Sequence, residues 1–357
     1  EGTRMSHYEE RLEHDLAKVR KRVRAMTGTV VGAVRDSVKA VLTADAELAN
    51  ETILGDLPIN RQSRKLDQRC HRFIAQHLPS AGHLRFISAV LRLSKTLERI
   101  GDYAETISRA AVQLAAPPPD AVARDIEMMG RHAAHTLERS LEAFDEGNVE
   151  RARATRSVVG QYGATFDKVF SDLVVAGKRE EPKIEDLFSL MAVINRLERV
   201  LHQAKNICEQ TIFAVTGEGK EEKTFDVLFL DGRNAGASVL AEHYCRKAYP
   251  DCGTFESAGW AAENAPDQAF VAFGIEKGLD LLGTTPRAFG GLEDQVSDFD
   301  LIIDLSGDAR EHLAKVPFHS VLLHWRLEDR GDPEAVYKQL VTRVRDLMAL
   351  LRGEDDD

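Results

Sequence analysis

Cysteine is scarce in this chain. There are four, Cys70, Cys208, Cys245 and Cys252, and none stands in the paired spacing of a zinc site. Cys245 and Cys252 are the one pair near enough in sequence for a disulfide, but free thiols are the expected state in a reducing cytoplasm. Apolar runs long enough to span a bilayer are missing as well, and no secretory signal opens the chain. The expected location is therefore cytoplasmic, with Met5 as the expected native start after a remnant, Glu1 to Arg4. A surplus of basic charge is also lacking. The net charge is -11, which excludes a protein whose main task is gripping nucleic acid. The local exception, Lys18, Arg20, Lys21, Arg22 and Arg24, follows a run of acids on one helix and reads as a solvated face.

What the chain does have is a repeat. Leu97-Glu98-Arg99-Ile100-Gly101-Asp102-Tyr103-Ala104 returns as Leu197-Glu198-Arg199-Val200-Leu201-His202-Gln203-Ala204, and the two copies run on to Ile107 and Ile207. Such a repeat points to a duplicated helical unit packed against itself. Within each copy, Glu98 and Asp102, or Glu198 and His202, stand one helical turn apart on one face. Paired ligands on one face can hold a metal ion, although paired acids on a helix surface are also ordinary.

At 357 residues, two or more domains are expected. From Ser6 to about Ala46, Leu12, Leu16, Val19, Val23, Met26, Val30, Val34, Val38 and Val41 recur at helical spacing, predicting one long amphipathic helix. Gly55-Asp56-Leu57-Pro58 reads as a break, with Asp56 as the N-cap of a second helix that ends near His77. A third ends near Leu114. After Pro117-Pro118-Pro119 the three-helix plan restarts: Val122 to Phe144, Val149 to Val175 across the weakening Gly160 and Gly163, and a last helix from Glu181-Pro182 to Val215. The polar stretch from Thr216 to Lys223 reads as a boundary. Beyond it, the apolar runs at Phe225–Leu230, Leu301–Leu305 and Ser320–Trp325 alternate with helices, at Ser238 to Tyr249 and Glu334 to Leu351, which predicts a small parallel-sheet domain.

Across Ser6 to Gly217 the sequence resembles the phosphate-uptake regulator (PhoU) family. The carriers are the opening helix, Asp56-Leu57-Pro58-Ile59-Asn60, Pro79-Ser80-Ala81-Gly82-His83-Leu84-Arg85, and the Leu97 stretch with its degenerate copy at Leu197. The resemblance implies a cytoplasmic homodimer linking the ATPase of a phosphate ABC transporter to a sensor histidine kinase, and restraining both when phosphate is plentiful. It would meet the membrane only through these partners. It also implies iron or zinc clusters held by acid-x-x-x-acid motifs. Glu98 and Asp102 match such a motif in full, and Asp56 matches half of one, its partner position being Asn60. In the second copy Glu198 keeps its acid and His202 replaces Asp, while Arg156 and Gly160 stand where Asp56 and Asn60 would recur. His83 replaces a usual acid. A multinuclear cluster needs many carboxylates to balance its charge. The expectation is therefore reduced to a single ion at Asp56, Glu98 and Asp102, with Glu198 and His202 as a pair biased toward zinc or iron. The competing reading pairs these acids with Arg61, Arg64 or Arg99.

Thr224 to Leu351 resembles the low-molecular-weight phosphatases and thioredoxin-coupled arsenate reductases. The carriers are Val227-Leu228-Phe229-Leu230 before Asp231-Gly232-Arg233-Asn234-Ala235-Gly236-Ala237-Ser238, then Ser257-Ala258-Gly259-Trp260, Leu305-Ser306-Gly307-Asp308-Ala309 and His324-Trp325-Arg326-Leu327-Glu328-Asp329. That family attacks with a Cys thiolate and grips the oxyanion with an Arg six residues on. Here those positions hold Asp231 and Ala237. The resolving-cysteine positions fall on Ser306 and Leu313, and only Asp329 matches a functional residue, the general acid. An acid with no nucleophile to serve has no mechanism, so this loop is a degenerate phosphate loop and the domain a pseudoenzyme. Two readings follow. One is a non-enzymatic regulator of phosphate uptake and signalling with an accessory module; the alternative is a phosphatase or arsenate reductase with an atypical site. The expected fold is α plus α/β: two tandem antiparallel three-helix bundles (6–217), a linker (218–223) and a small α/β domain with a parallel sheet (224–351).

Overall fold

The computed structural model describes residues 7–159, 163–178, 183–220, 223–313, 315–317 and 320–353. The chain divides into two compact units, Glu1–Lys220 and Glu221–Asp357.

The first unit is built of helices. α1 (His7–Thr43) buries Leu12, Leu16, Val19, Val23, Met26, Val30, Val34, Val38 and Val41, the stripe that its periodicity predicts. α2 (Ala46–His77) corrects the expected break at Gly55–Pro58. Its N-cap is Asp45, whose side chain accepts the Leu48 N–H, and Pro58 lies inside the helix. Proline removes one backbone donor, but the inward stripe Thr52, Asp56, Ile59, Ser63 and Leu66 passes through it without a change of phase, so packing holds the helix together. Asp56 is therefore mid-helix and buried rather than a cap. α3 (Ala81–Gln113) carries the first copy of the repeat.

α4 (Asp120–Glu146) ends at Gly147, whose φ of 65° is the left-handed conformation of a helix stop. The single helix expected from Val149 to Val175 is described as α5 (Val149–Val159) and α6 (Gly163–Lys178), and Gly160 lies outside the described residues. So do Glu181 and Pro182, and α7 (Ile184–Thr216) is described from Ile184. α1 to α3 form one bundle and α4 to α7 the other. α3 packs on α7 and α1 on α4, so the two repeat copies lie against each other. Buried side chains of both bundles merge into one core. The α1–α4 approach is close: a Cβ on Gly130 would come within 2.6 Å of Val38 Cγ1.

The second unit contains β1 (Phe225–Asp231), α8 (Ala237–Ala248), β2 (Gly253–Gly259), α9 (Gln268–Glu276), β3 (Leu301–Asp304), α10 (Ala309–His312), β4 (Val321–His324) and α11 (Pro333–Arg352). The strands form an all-parallel sheet in the order β2-β1-β3-β4. Central β1 buries Val227, Leu228, Phe229 and Leu230 completely, because the sheet is covered on both faces. Val227 and Phe229 join the core that includes Val336 and Leu340, whereas Leu228 and Leu230 join Phe289, Phe299 and Ile302. β2 and α9 are additions to the sequence reading. The register aligns Asp231 with Gly259, and Asp304 with both Leu230 and His324, at the carboxyl end of the sheet. In open parallel sheets that end is where ligands bind.

Candidate functional site

Two places gather the chemistry. The first is the face between α2 and α3. Gly101 has no side chain, and a Cβ there would lie 3.1 Å from Ile59 and 3.2 Å from Asp56 Oδ1. That gap lets the Asp56 carboxylate sit against α3. Its Oδ2 accepts a hydrogen bond of 2.5 Å from the Asn60 amide, and its Oδ1 is buried with no partner. Burial raises the Asp56 pKa, and the charges of Asp102, Glu105 and Glu98 push the same way against the Asn60 hydrogen bond. Asp102 is raised too, first by burial, then by Glu98 and Glu105. Glu98 differs. Burial would raise it, but Lys95 at 2.9 Å and the Ser63 hydroxyl at 2.8 Å outweigh this and hold it below the usual carboxylate range.

These side chains form a mutually repelling acidic group with one orphaned oxygen, the kind of place that attracts a cation. Yet among the described residues no group of three or more His, Cys, Asp or Glu converges as metal ligands. Glu98 is committed to Lys95 and Ser63, where the sequence offered arginines as the competing partners. Glu198 and His202 stand 4.0 Å apart on α7. As arranged, the donors do not fit a multinuclear iron or zinc cluster.

The second place is the loop from Asp231 to Ser238. β1 ends and α8 begins across it, so its backbone N–H groups point inward with no helical partner. The Asp231 carboxylate takes them. Its Oδ1 accepts from the N–H of Arg233 at 3.0 Å and of Asn234 at 2.6 Å, and its Oδ2 from Ser238 at 3.0 Å. The loop is thus folded around an anion supplied by its own chain. Asn234, buried at a φ of 47°, ties the loop to the sheet. Its amide donates to the Ser238 and Ser257 hydroxyls at 3.0 and 2.8 Å, and its carbonyl accepts from the Arg287 N–H at 2.7 Å. Arg233 points away to Glu263 at 3.1 Å. Gly232, Ala235, Gly236 and Ala237 bring no side-chain donor or nucleophile.

The PhoU domain model matches the chain twice, over residues 23–111 and 123–211. The phosphate-specific transport system accessory protein PhoU homolog of Pseudomonas putida is 31% identical over 218 residues, which cover 59% of this chain and 83% of that protein. This chain belongs to the PhoU family. The crystal structure of PhoU from Pseudomonas aeruginosa is similar at 28% identity and a TM-score of 0.55, over 58% of this chain and 99% of that one. Arsenate reductase from Archaeoglobus fulgidus is 25% identical over 35% of this chain and 99% of its own, with a TM-score of 0.30.

Both PhoU matches lie in the helical unit, and the first, 23–111, includes the acidic face. Glu105 is a member of that face that sequence reasoning passed over. Its signal was present, since Glu98, Asp102 and Glu105 follow at steps of four and three, which keep one helix face. Asn234 and Ser257 were visible only as parts of a motif; the contact that joins them needs the fold. Asp329, at a φ of 50°, precedes Arg330, whose Nη2 donates to the Ser306 carbonyl at 2.8 Å. Among the described residues no helix is long and apolar enough to cross a membrane.

Proposed function

We propose that this chain is a non-enzymatic regulator of phosphate uptake and phosphate signalling, working as a cytoplasmic homodimer. Its helical unit docks the ATPase of a phosphate ABC transporter, a sensor histidine kinase, or both. Its α/β unit is an accessory module without turnover. The observation that carries the reading is the pair of PhoU domains, since the relatives that share them are named as accessory proteins of phosphate-specific transport. The absence of turnover is supported by the loop chemistry. A carboxylate at position 231 repels an anionic substrate and already occupies the donors that would bind one, and Ala237 offers no guanidinium.

The test is direct binding of the purified full-length protein to the host's transporter ATPase subunit and to the cytoplasmic part of its phosphate-sensing kinase, at high and low phosphate. Saturable binding to either, stronger at high phosphate, supports the reading; no binding to both ends it. In parallel, turnover of p-nitrophenyl phosphate, or of arsenate with thioredoxin, would replace it with an enzymatic one. Elemental analysis, with Glu98→Ala and Asp102→Ala as controls, tests whether the acidic face takes iron or zinc.

A further inference from the structure

The carboxyl edge of the sheet holds a second carboxylate that the Asp231 loop does not use. Asp304 closes β3 and is completely buried. Its Oδ1 accepts the N–H groups of Ser306 and Gly307 at 2.9 and 2.8 Å and the Ser306 hydroxyl at 2.9 Å. Its Oδ2 accepts the Ala309 N–H at 3.0 Å and lies 3.0 Å from His324 Nδ1. Burial would raise its pKa, but the donors from Ala309, Gly307 and Ser306 outweigh burial and hold it below the usual range, so it is ionised.

An ionised carboxylate can only accept, so the proton between it and His324 belongs to Nδ1. The other nitrogen, Nε2, then carries a lone pair in the neutral ring. The imidazole is 41% exposed on β4, and no described residue makes a hydrogen bond to Nε2. Arg330 is tied to the same turn through the Ser306 carbonyl and brings a guanidinium to it. An oriented nucleophile, a buried counter-charge behind it and a cation on the same turn suit an anionic electrophile better than a neutral one.

We propose that His324 is a phosphoryl-accepting histidine, with Asp304 as its positioning residue and Arg330 as the group that receives the phosphoryl oxygens. The donor class is a small phosphoryl compound with a good leaving group. With phosphoramidate, the Nε2 lone pair attacks phosphorus, the new N–P bond forms, the old N–P bond breaks, and ammonia leaves. The ring becomes an imidazolium whose Nδ1–H stays on Asp304, and the buried carboxylate offsets the new positive charge. No further co-reactant is needed. This inference concerns the α/β unit alone and is independent of the regulator reading.

The test is to incubate the full-length protein with phosphoramidate. Acid-labile phosphate is followed by phosphorus NMR and mapped by mass spectrometry. His324 should be labelled faster than every other histidine, and His324→Gln should abolish the fast phase. Arg330→Ala should slow that phase about tenfold, the worth of one lost charge-assisted hydrogen bond. Asp304→Asn should slow it and also shift its pH profile, which a merely structural role would not do. Label spread over histidines in proportion to their exposure would overturn the proposal, as would a fast phase that survives His324→Gln. Both His324→Gln and Arg330→Ala change exposed side chains, so the test stands even if Asp304→Asn fails to fold.

Discussion

Single carboxylates set much of this protein's pH behaviour, and their partners fix the sign. Asp15 on α1 pairs with Lys18 at 2.9 Å and with the buried His77 at 3.1 Å. The hydrogen bond from Lys18 is the larger cause and that from His77 the next; together they lower the Asp15 pKa from 3.8 to about 2. A depressed folded-state pKa means the contribution to stability is complete above the unfolded value and fades as pH falls toward 2. Asp15→Asn is expected to lower stability by about 0.5–1 kcal/mol near pH 7 after solvent screening. In urea titrations from pH 7 to pH 3, the gap to wild type should hold down to about pH 4 and narrow below it. A gap that widens toward acid would contradict this. At Asp231 the expectation is larger. Asp231→Ala strands the N–H groups of Arg233, Asn234 and Ser238, so thermal melting of the α/β unit should show a loss of about 1–3 kcal/mol. A neutral result would mean that water satisfies these groups as well as the carboxylate does.

Elements were legible in proportion to how far their packing repeats along the chain. The stripe of α1 and the buried run of β1 could be read directly, because each obeys one period from end to end. α2 was misread at its start, since Gly55 and Pro58 are strong local signals while the stripe that overrides them draws its strength from α1 and α3. β2 was missed for a related reason. Gly-Thr-Phe-Glu-Ser-Ala-Gly has weak strand propensity, and its pairing with β1 decides its shape. Gly253 at its start has a φ of 154°, and a Cβ there would lie 1.9 Å from the Phe225 carbonyl oxygen. Only glycine fits, but nothing local announces it. The site followed the same rule: Glu98 and Asp102 are neighbours on one helix, whereas their closeness to Asp56 depends on Gly101. Close helix approach also carries a prediction. Gly130→Ala should force Val38 and the α1–α4 seam apart and lower stability by about 1–3 kcal/mol, read from the urea midpoint. Val38→Ala in the same background should restore part of the loss.

At the scale of the whole molecule, the two units are stabilised by different means. The helical unit has one large core running through both bundles and a small cluster of Ala143, Ala152, Cys208 and Ile212 beside it, whereas the α/β unit divides its buried side chains between the two faces of its sheet. Separate compact units melt separately unless coupled, and this chain has two. Calorimetry of the full chain should therefore resolve two transitions, and Asp231→Ala should move only one of them; a single transition that moves as a whole would show coupled unfolding.

The loop around Asp231 bears on how information could enter this protein. A detector responds because it is incomplete until its signal arrives. Here the N–H groups of Arg233, Asn234 and Ser238 are already satisfied, since the carboxylate that accepts them is covalently part of the chain and cannot dissociate. Rising phosphate has nothing to finish at that loop. On the regulator reading proposed above, a dependence on phosphate would arise elsewhere, on another surface or in a partner.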